Sequence, residues 1–124
     1  MVSSIAIIRV ADEKYIYLTT IGRRTGNPHT VELWFAIVGG KIYLSHEGKY
    51  TDWMRNIIED DRIEFRIRDI QFKGIARIDK NGKAFEVGIH VLYLKYYGKA
   101  SDDIIRDWFS ESTIIEICII TNEF

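Results

Sequence analysis

Apolar and polar residues alternate along much of this chain, and that spacing is typical of antiparallel strands with one solvated face. The clearest alternation lies at residues 62–68, and Gly39-Gly40 is a two-residue hairpin signal between two other runs. The apolar segment 3–10 favours a strand over a short helix. The pattern predicts further strands at residues 15–20, 30–38, 41–46, 62–68, 71–79 and 113–121.

Three segments change to the spacing of amphipathic helices. At residues 50–60, Trp53, Ile57 and Ile58 share a face, and Thr51 or Asp52 can cap the start. Helices are also predicted at residues 83–97, ended by Gly98, and at residues 102–109, capped by Ser101. The order of elements predicts a mainly β (α+β) fold: one domain over residues 1–124, a small six-stranded antiparallel barrel with a few short helices over its ends.

Composition excludes several classes of protein. The formal net charge of −1 gives no general attraction to nucleic acid or to an anionic membrane, and the apolar runs are too short to cross one. Residues 1–10 lack the features of a signal peptide, so a cytoplasmic location is expected. The single Cys118 excludes an internal disulfide, and His29, His46 and His90 lack a ligand spacing, so we expect no metal.

The segment Gly22-Arg23-Arg24-Thr25-Gly26-Asn27-Pro28-His29-Thr30 connects two predicted strands. Guanidinium groups bind phosphate through paired N–H donors, and successive amides in a glycine-containing turn form an anion-binding nest. The segment therefore suits a phosphate. Arginine and glycine are also common in solvated hairpin loops, so a purely structural loop is the alternative.

Two linked motifs carry a family resemblance. Residues 18–30, with Leu33-Trp34-Phe35 after them, form the first, and residues 45–49 followed by 52–57 form the second. Together they resemble the deazaflavin-dependent nitroreductase family, which belongs to the FMN-binding split β-barrel group that includes pyridoxamine 5′-phosphate oxidases. The resemblance covers residues 15–78 well and the remainder by the order of elements.

The resemblance implies an oxidoreductase that transfers a hydride between a reduced cofactor, FMN or the deazaflavin F420, and a small electron acceptor. Such barrels pair as homodimers with the cofactor near the interface. The implied phosphate ligands and ring contacts are Arg23, Arg24, Thr25, Gly26, Asn27, His29, Thr30, Leu44, Ser45, His46, Lys49 and Trp53.

Some residues depart from the family pattern or have a second interpretation. His29 stands where the family usually has arginine, and Glu32 stands where it usually has proline. Tyr93, Tyr96 and Tyr97 are weak candidates for supplying a proton, because their spacing is also typical of packing residues. Trp53 and His46 are similarly open to being core residues.

Two other functions are compatible with the sequence. The departures at His29 and Glu32 motivate a non-catalytic flavin- or deazaflavin-binding or storage module. A small-barrel nucleic-acid binder could use Arg23, Arg24 and Lys49 with aromatic stacking, but the near-neutral charge argues against it.

Overall fold

The computed structural model describes residues 4–120, with side chains from residue 6 onward. The chain forms four helices and seven strands in this part. In chain order they are α1 Ser4–Arg9, β1 Tyr15–Ile21, β2 Pro28–Trp34, β3 Ala36–Val38, β4 Lys41–Glu47, α2 Asp52–Glu59, β5 Arg62–Ile67, β6 Ile70–Asp79, α3 Lys83–Tyr97, α4 Asp102–Trp108 and β7 Ser112–Ile119.

The seven strands form one antiparallel sheet in the order β2-β1-β5-β6-β7-β4-β3. The prediction of a mainly β antiparallel barrel with short helices is confirmed, although the count is seven strands and not six. The extra strand arises because the predicted strand at residues 30–38 breaks at Phe35 into β2 and β3.

The break at Phe35 closes the barrel. β2 and β3 are one residue apart in the chain but lie at opposite edges of the sheet, so the sheet must curl until its edges meet. The Tyr96 hydroxyl accepts a hydrogen bond from the Phe35 N–H at 2.9 Å and lies 2.9 Å from the Phe35 carbonyl and 2.7 Å from the Lys14 carbonyl. It therefore supplies partners to backbone groups that strand pairing leaves free.

The prediction of a strand at residues 3–10 is wrong, because α1 occupies Ser4–Arg9. Ile7 and Val10 are fully buried while Ile8 is 67% exposed. An interval of three residues between the buried positions suits one face of a helix and not the alternation of a strand. Since residues 5–8 are all apolar, neither periodicity is visible there in the sequence, and docking on the core distinguishes a helix from a strand.

Two apolar clusters cover the two faces of the sheet. The larger one joins α1 and α2 to residues such as Leu18, Phe65 and Ile115, and the smaller one packs α3 and α4 on Tyr43 and Ile114. The alternation predicted for β5 is confirmed, since its residues are exposed and buried in turn.

Helices α3 and α4 are joined by a polar cluster. Ser101 caps α4 as predicted, accepting a hydrogen bond from the Ile104 N–H at 3.3 Å. Arg106 donates two hydrogen bonds of 2.6 Å to the Glu86 carboxylate. His90 lies 2.7 Å from the Glu86 carbonyl through Nδ1 and 3.1 Å from Asp102 Oδ1 through Nε2.

The His90 cluster makes the stability of the α3–α4 contact depend on pH. A carbonyl can only accept, so Nδ1 carries a proton, and Nε2 donates to Asp102 only in the imidazolium form. The hydrogen bond to the Glu86 carbonyl, and then that to Asp102, raise the pKa of His90 above its usual range.

We expect the free energy of unfolding to contain a His90 contribution that is complete below the unfolded-state pKa of about 6.5 and is lost as the pH rises through the folded-state pKa. Urea unfolding as a function of pH measures it. Asp102→Asn should flatten this part of the profile, and so should His90→Gln. An identical profile in the wild type and in His90→Gln would contradict the assignment.

Candidate functional site

A cavity of about 600 Å³ lies between the β1–β2 loop, the edge strand β2 and the beginning of α2. Its wall combines guanidinium, imidazole, hydroxyl and amide groups with one carboxylate. The lining residues are Gly22, Arg23, Arg24, Thr25, His29, Thr30, Val31, Thr51, Asp52, Trp53 and Asn56.

The β1–β2 loop is held by its own backbone. The Gly22 N–H donates to the Asn27 carbonyl at 2.7 Å, and the Gly26 N–H donates to the Gly22 carbonyl at 2.8 Å. The Asn27 N–H donates to Thr25 Oγ1 at 3.2 Å. Within residues 4–120, the amides of Arg24 and Thr25 have no protein acceptor and remain available to a ligand.

Two glycines shape this loop for different reasons. Gly26 has φ of +76°, which favours glycine. Gly22 is confined by its surroundings, since a Cβ there would lie 2.9 Å from Thr25 Oγ1 and 3.1 Å from His29 Nε2. A side chain at position 22 would therefore displace two groups of the cavity wall.

Arg23 makes its hydrogen bonds to other residues of the protein. Its side chain is 17% exposed. The guanidinium donates to Asn56 Oδ1 at 3.0 Å and contacts Asp52 Oδ1 at 3.3 Å. The same Asn56 oxygen accepts the Arg23 N–H at 3.2 Å. Arg23 thus ties the loop to α2, whereas Arg24 is exposed and has no protein partner in the described chain.

Asn56 is the centre of this arrangement and was not among the predicted site residues. It is 2% exposed, and its amide donates to the equally buried Thr20 Oγ1 at 3.0 Å. The available signal was a polar side chain on the same face of α2 as Trp53 and Ile57. A buried amide needs partners, and such partners are specific to one arrangement of neighbours.

The beginning of α2 adds further donors to the cavity. Thr51 is the N-cap residue but its side chain makes no capping bond, and the first helical bond runs from the Arg55 N–H to the Thr51 carbonyl at 3.1 Å. Amides of the first helical turn are therefore left without side-chain acceptors, and the helix dipole favours an anion beside them. Asp52 offsets part of this field.

The structure brings together six of the twelve predicted ligand residues in the cavity wall. These are Arg23, Arg24, Thr25, His29, Thr30 and Trp53. Gly26 and Asn27 shape the adjoining loop. Lys49 does not join them, because it lines a separate cavity with Lys80 and Glu111.

The β4 residues reach the site only indirectly. Leu44 is fully buried in the core, and Ser45 is partly exposed. His46 lies 2.6 Å from the Lys49 carbonyl through Nε2, and its ring meets Trp53 edge-on at 5.8 Å. Since β3 pairs with β4 only as far as Tyr43, the strand from Leu44 onward has a neighbour on one side alone and offers a free backbone edge.

Glu32 does not add a carboxylate to the cavity. It lies across from Tyr17, accepts a hydrogen bond from that hydroxyl at 2.8 Å, and occupies the opposite face of β2 from His29. Side chains alternate between faces, so the three positions that separate the two residues place them on opposite sides. Of the two departures from the family pattern, only His29 touches the cavity.

The sequence model of the F420H(2)-dependent quinone reductase family matches residues 6–92. The chain belongs to this family. The resemblance to deazaflavin-dependent reductases is therefore confirmed, and the protein is placed among deazaflavin-dependent oxidoreductases. The match contains the whole cavity wall and ends at Leu92, so the C-terminal end of α3 and all of α4 lie beyond it.

Solved structures support the fold of this quinone reductase family member. A conserved hypothetical protein from Mycobacterium tuberculosis has a TM-score of 0.80 at 22% identity, covering 96% of this chain and 81% of the other. An F420 reductase has a TM-score of 0.65 at 18% identity, and the alignment covers 91% of this chain and 92% of the other. A Listeria innocua protein provisionally assigned as a pyridoxamine 5′-phosphate oxidase has a TM-score of 0.65 at 14% identity. That alignment covers 94% of this chain and 92% of the other.

Three further findings concern this family member. No curated protein matches the chain. Within residues 4–120, no helix has the length and apolar character needed to cross a membrane. The same residues contain no group of three or more His, Cys, Asp or Glu side chains that could hold a metal ion.

The three candidate tyrosines lie on α3 and have different surroundings. Tyr96 uses its hydroxyl on the backbone of Phe35 and Lys14, and burial raises its pKa. Tyr93 and Tyr97 pack on each other at 5.1 Å between ring centroids. The observed contacts of all three are packing and structural contacts, and a role in proton transfer stays a prediction.

We expect Asn56→Leu to lower the free energy of unfolding by about 2–3 kcal/mol, because it leaves Arg23 and the buried Thr20 without partners. Chemical denaturation measures the loss, and hydrogen exchange at the Arg23 amide should accelerate. Arg55→Leu, an exposed substitution on the same helix, is the matched control and should change stability by less than about 0.5 kcal/mol. Equal stability of the two variants would contradict the role of Asn56.

Tyr96→Phe should lower the free energy of unfolding by about 1–2 kcal/mol, because the Phe35 N–H loses its acceptor. Tyr97→Phe is the control, since the Tyr97 hydroxyl makes no hydrogen bond within residues 4–120. Thermal and urea unfolding compare them. A stable Tyr96→Phe protein that had lost only turnover would instead support proton transfer by this hydroxyl.

Proposed function

We propose that this protein binds F420 in the cavity between the β1–β2 loop and α2 and transfers a hydride to a small quinone-type acceptor. The observation that carries the proposal is the convergence of unpartnered loop amides, the uncapped start of α2 and the free Arg24 guanidinium on one cavity. The family description supports both the deazaflavin and the class of acceptor.

The donor set fits the anionic portion of such a cofactor. Arg24 supplies a guanidinium free of internal partners, the amides of Arg24 and Thr25 supply N–H donors, and the Thr25 hydroxyl lies beside them. Guanidinium and backbone amides are strong donors to phosphate oxygens. His29 adds an imidazole N–H donor to the same wall.

Arg23 and Asn56 act on this site by positioning. Their hydrogen bonds hold the loop against α2, so the amides of Arg24 and Thr25 are fixed before any ligand arrives. Preorganised donors bind an anion without the cost of ordering the loop. The two consecutive arginines consequently have different tasks, one internal and one directed at the ligand.

The redox-active ring would lie beyond the phosphate, towards Trp53 and the free edge of β4. When bound, the reduced deazaflavin supplies the hydride, and the protein contributes binding and orientation. The backbone of β4 from Leu44 onward offers hydrogen-bonding groups, and Trp53 lines the cavity while packing in the core. The side chain of Leu44 itself supports the core and not the ligand.

F420 is favoured over FMN by the family match, and the structure removes one objection to it. Glu32 does not line the cavity and is held by Tyr17, and the one carboxylate in the wall, that of Asp52, contacts the Arg23 guanidinium at 3.3 Å. The nucleic-acid alternative receives no support, because Lys49 lies in another cavity and Trp53 is only 7% exposed and so cannot stack on a base.

Arg24→Gln should weaken F420 binding about tenfold or more, since a charge-assisted contact to phosphate is worth over 1.4 kcal/mol. Absorbance and fluorescence titrations with F420 and with FMN measure the affinities. Arg55→Gln, an exposed arginine outside the cavity wall, is the control and should bind as the wild type does.

The same titrations decide between the alternatives. Tight F420 binding with F420H2-dependent reduction of a soluble quinone supports the reductase, whereas tight binding without turnover supports the storage module. Preference for FMN would overturn the cofactor assignment. Unchanged F420 affinity in Arg24→Gln would show that the phosphate lies elsewhere.

A further inference from the structure

A second cavity, of about 470 Å³, lies where β4, β6 and β7 meet the start of α3. It shares no lining residue with the cavity proposed for the cofactor. Charged side chains from all four elements, or from the residues at their ends, line it. They are Lys41, Arg77, Asp79, Lys83 and Glu116.

Glu116 is the buried centre of this cavity and is 5% exposed. It lies directly across from Tyr43 on β4 and from Arg77 on β6, so one cross-strand row carries all three side chains. The Tyr43 hydroxyl donates to Glu116 Oε2 at 2.9 Å, and the Lys41 ammonium lies 3.8 Å from the same oxygen. Burial, and then the hydrogen bond to Glu116, raise the pKa of Tyr43 to about 12, so this hydroxyl keeps its proton.

The other oxygen of this carboxylate, Oε1, has no hydrogen-bond partner within residues 4–120. In the same part of the chain, no enclosed side-chain oxygen or nitrogen lacks such a partner, so Oε1 of Glu116 opens onto the cavity. A buried carboxylate oxygen needs a donor. The cavity therefore contains an acceptor that the described residues do not satisfy.

Two exposed cations of the cavity wall are also without partners. The Arg77 guanidinium and the Lys83 ammonium make no hydrogen bond or ion pair in the described part of the chain. Asp79 is paired with neither cation, because its carboxylate accepts three backbone N–H groups around the start of α3, at distances of 2.8–3.2 Å. A guanidinium suits a ligand carboxylate, which it can hold through two parallel N–H donors.

We propose that this cavity binds a free α-amino acid with an apolar side chain. The ligand ammonium would donate to Glu116 Oε1, and the ligand carboxylate would face Arg77 and Lys83. Because Glu116 and Arg77 lie on adjacent strands, the two ligand groups must be close together, as they are on the Cα of an amino acid. The apolar part of the cavity wall consists of Ile78, Ala84 and Val87.

The combination of a buried acceptor with two cations distinguishes an amino acid from other small molecules. Inorganic phosphate or a simple carboxylic acid would be attracted by Arg77 and Lys83 but repelled by Glu116. An amine without a carboxylate would satisfy Glu116 and leave both cations without a partner. The inference does not rest on the proposed function, since the two cavities share no residue.

Isothermal titration calorimetry of the full chain with L-valine, L-leucine and L-phenylalanine tests the proposal. We expect saturable binding of at least one of them at a single site. Isopentylamine and isocaproate, which are leucine without its carboxylate and without its ammonium, should not bind at the same concentrations, and neither should inorganic phosphate. In NMR spectra, the bound amino acid should shift the backbone amide signals of Arg77, Lys83 and Glu116.

Two variants test the two ligand contacts separately. Glu116→Gln keeps an acceptor for the Tyr43 hydroxyl but removes the charge, and it should weaken amino-acid binding about tenfold or more. Arg77→Gln should weaken it by a similar factor, and because Arg77 is exposed this variant remains a test even where Glu116→Gln is unstable. Arg66→Gln, at an exposed arginine of β5 outside the cavity, is the control and should bind as the wild type does.

Circular dichroism checks that each variant is folded. The proposal would be overturned by the absence of binding for all three amino acids, or by binding of isopentylamine, isocaproate or phosphate as tight as that of L-leucine. Wild-type affinity in folded Arg77→Gln or folded Glu116→Gln would overturn it as well.

Discussion

The architecture depends on how the chain changes strands at Phe35. β2 and β3 occupy opposite edges of the sheet, yet only this residue separates them, so its backbone N–H and carbonyl lack a regular ladder partner. The Tyr96 hydroxyl supplies one, and the Lys95 ammonium lies 3.6 Å from the centre of the buried Phe35 ring. Because a buried backbone group without a partner is costly, the docking of α3 stabilises the closed barrel.

Closure also creates the candidate site. Since β3 is short, it leaves the end of β4 paired with β7 alone, and the edge strand β2 borders the cavity instead of another strand. The loop that precedes β2 is then held against α2 and β1 by the hydrogen bonds that join Arg23 to Asn56 and Asn56 to Thr20. A polar cluster of this kind stabilises one arrangement only, which is what a preorganised anion site requires.

The C-terminal part of the chain adds features that the family match does not contain. α4 is held on α3 by the Glu86–Arg106 pair and the His90–Asp102 contact, and it brings Trp108 against Tyr97. The helix thus places an exposed indole ring beside the exposed ring of Tyr97.

The sequence by itself determined what depends on short-range patterns. Alternation identified most strands, Gly98 and Ser101 marked helix ends, and the motif around Arg23 and Arg24 indicated the family. Only the tertiary structure decided which arginine is free, that Lys49 lies in another cavity, and that residues 3–10 contain a helix and not a strand. Those outcomes depend on sheet closure and on docking between segments distant in the chain, and no local spacing encodes either.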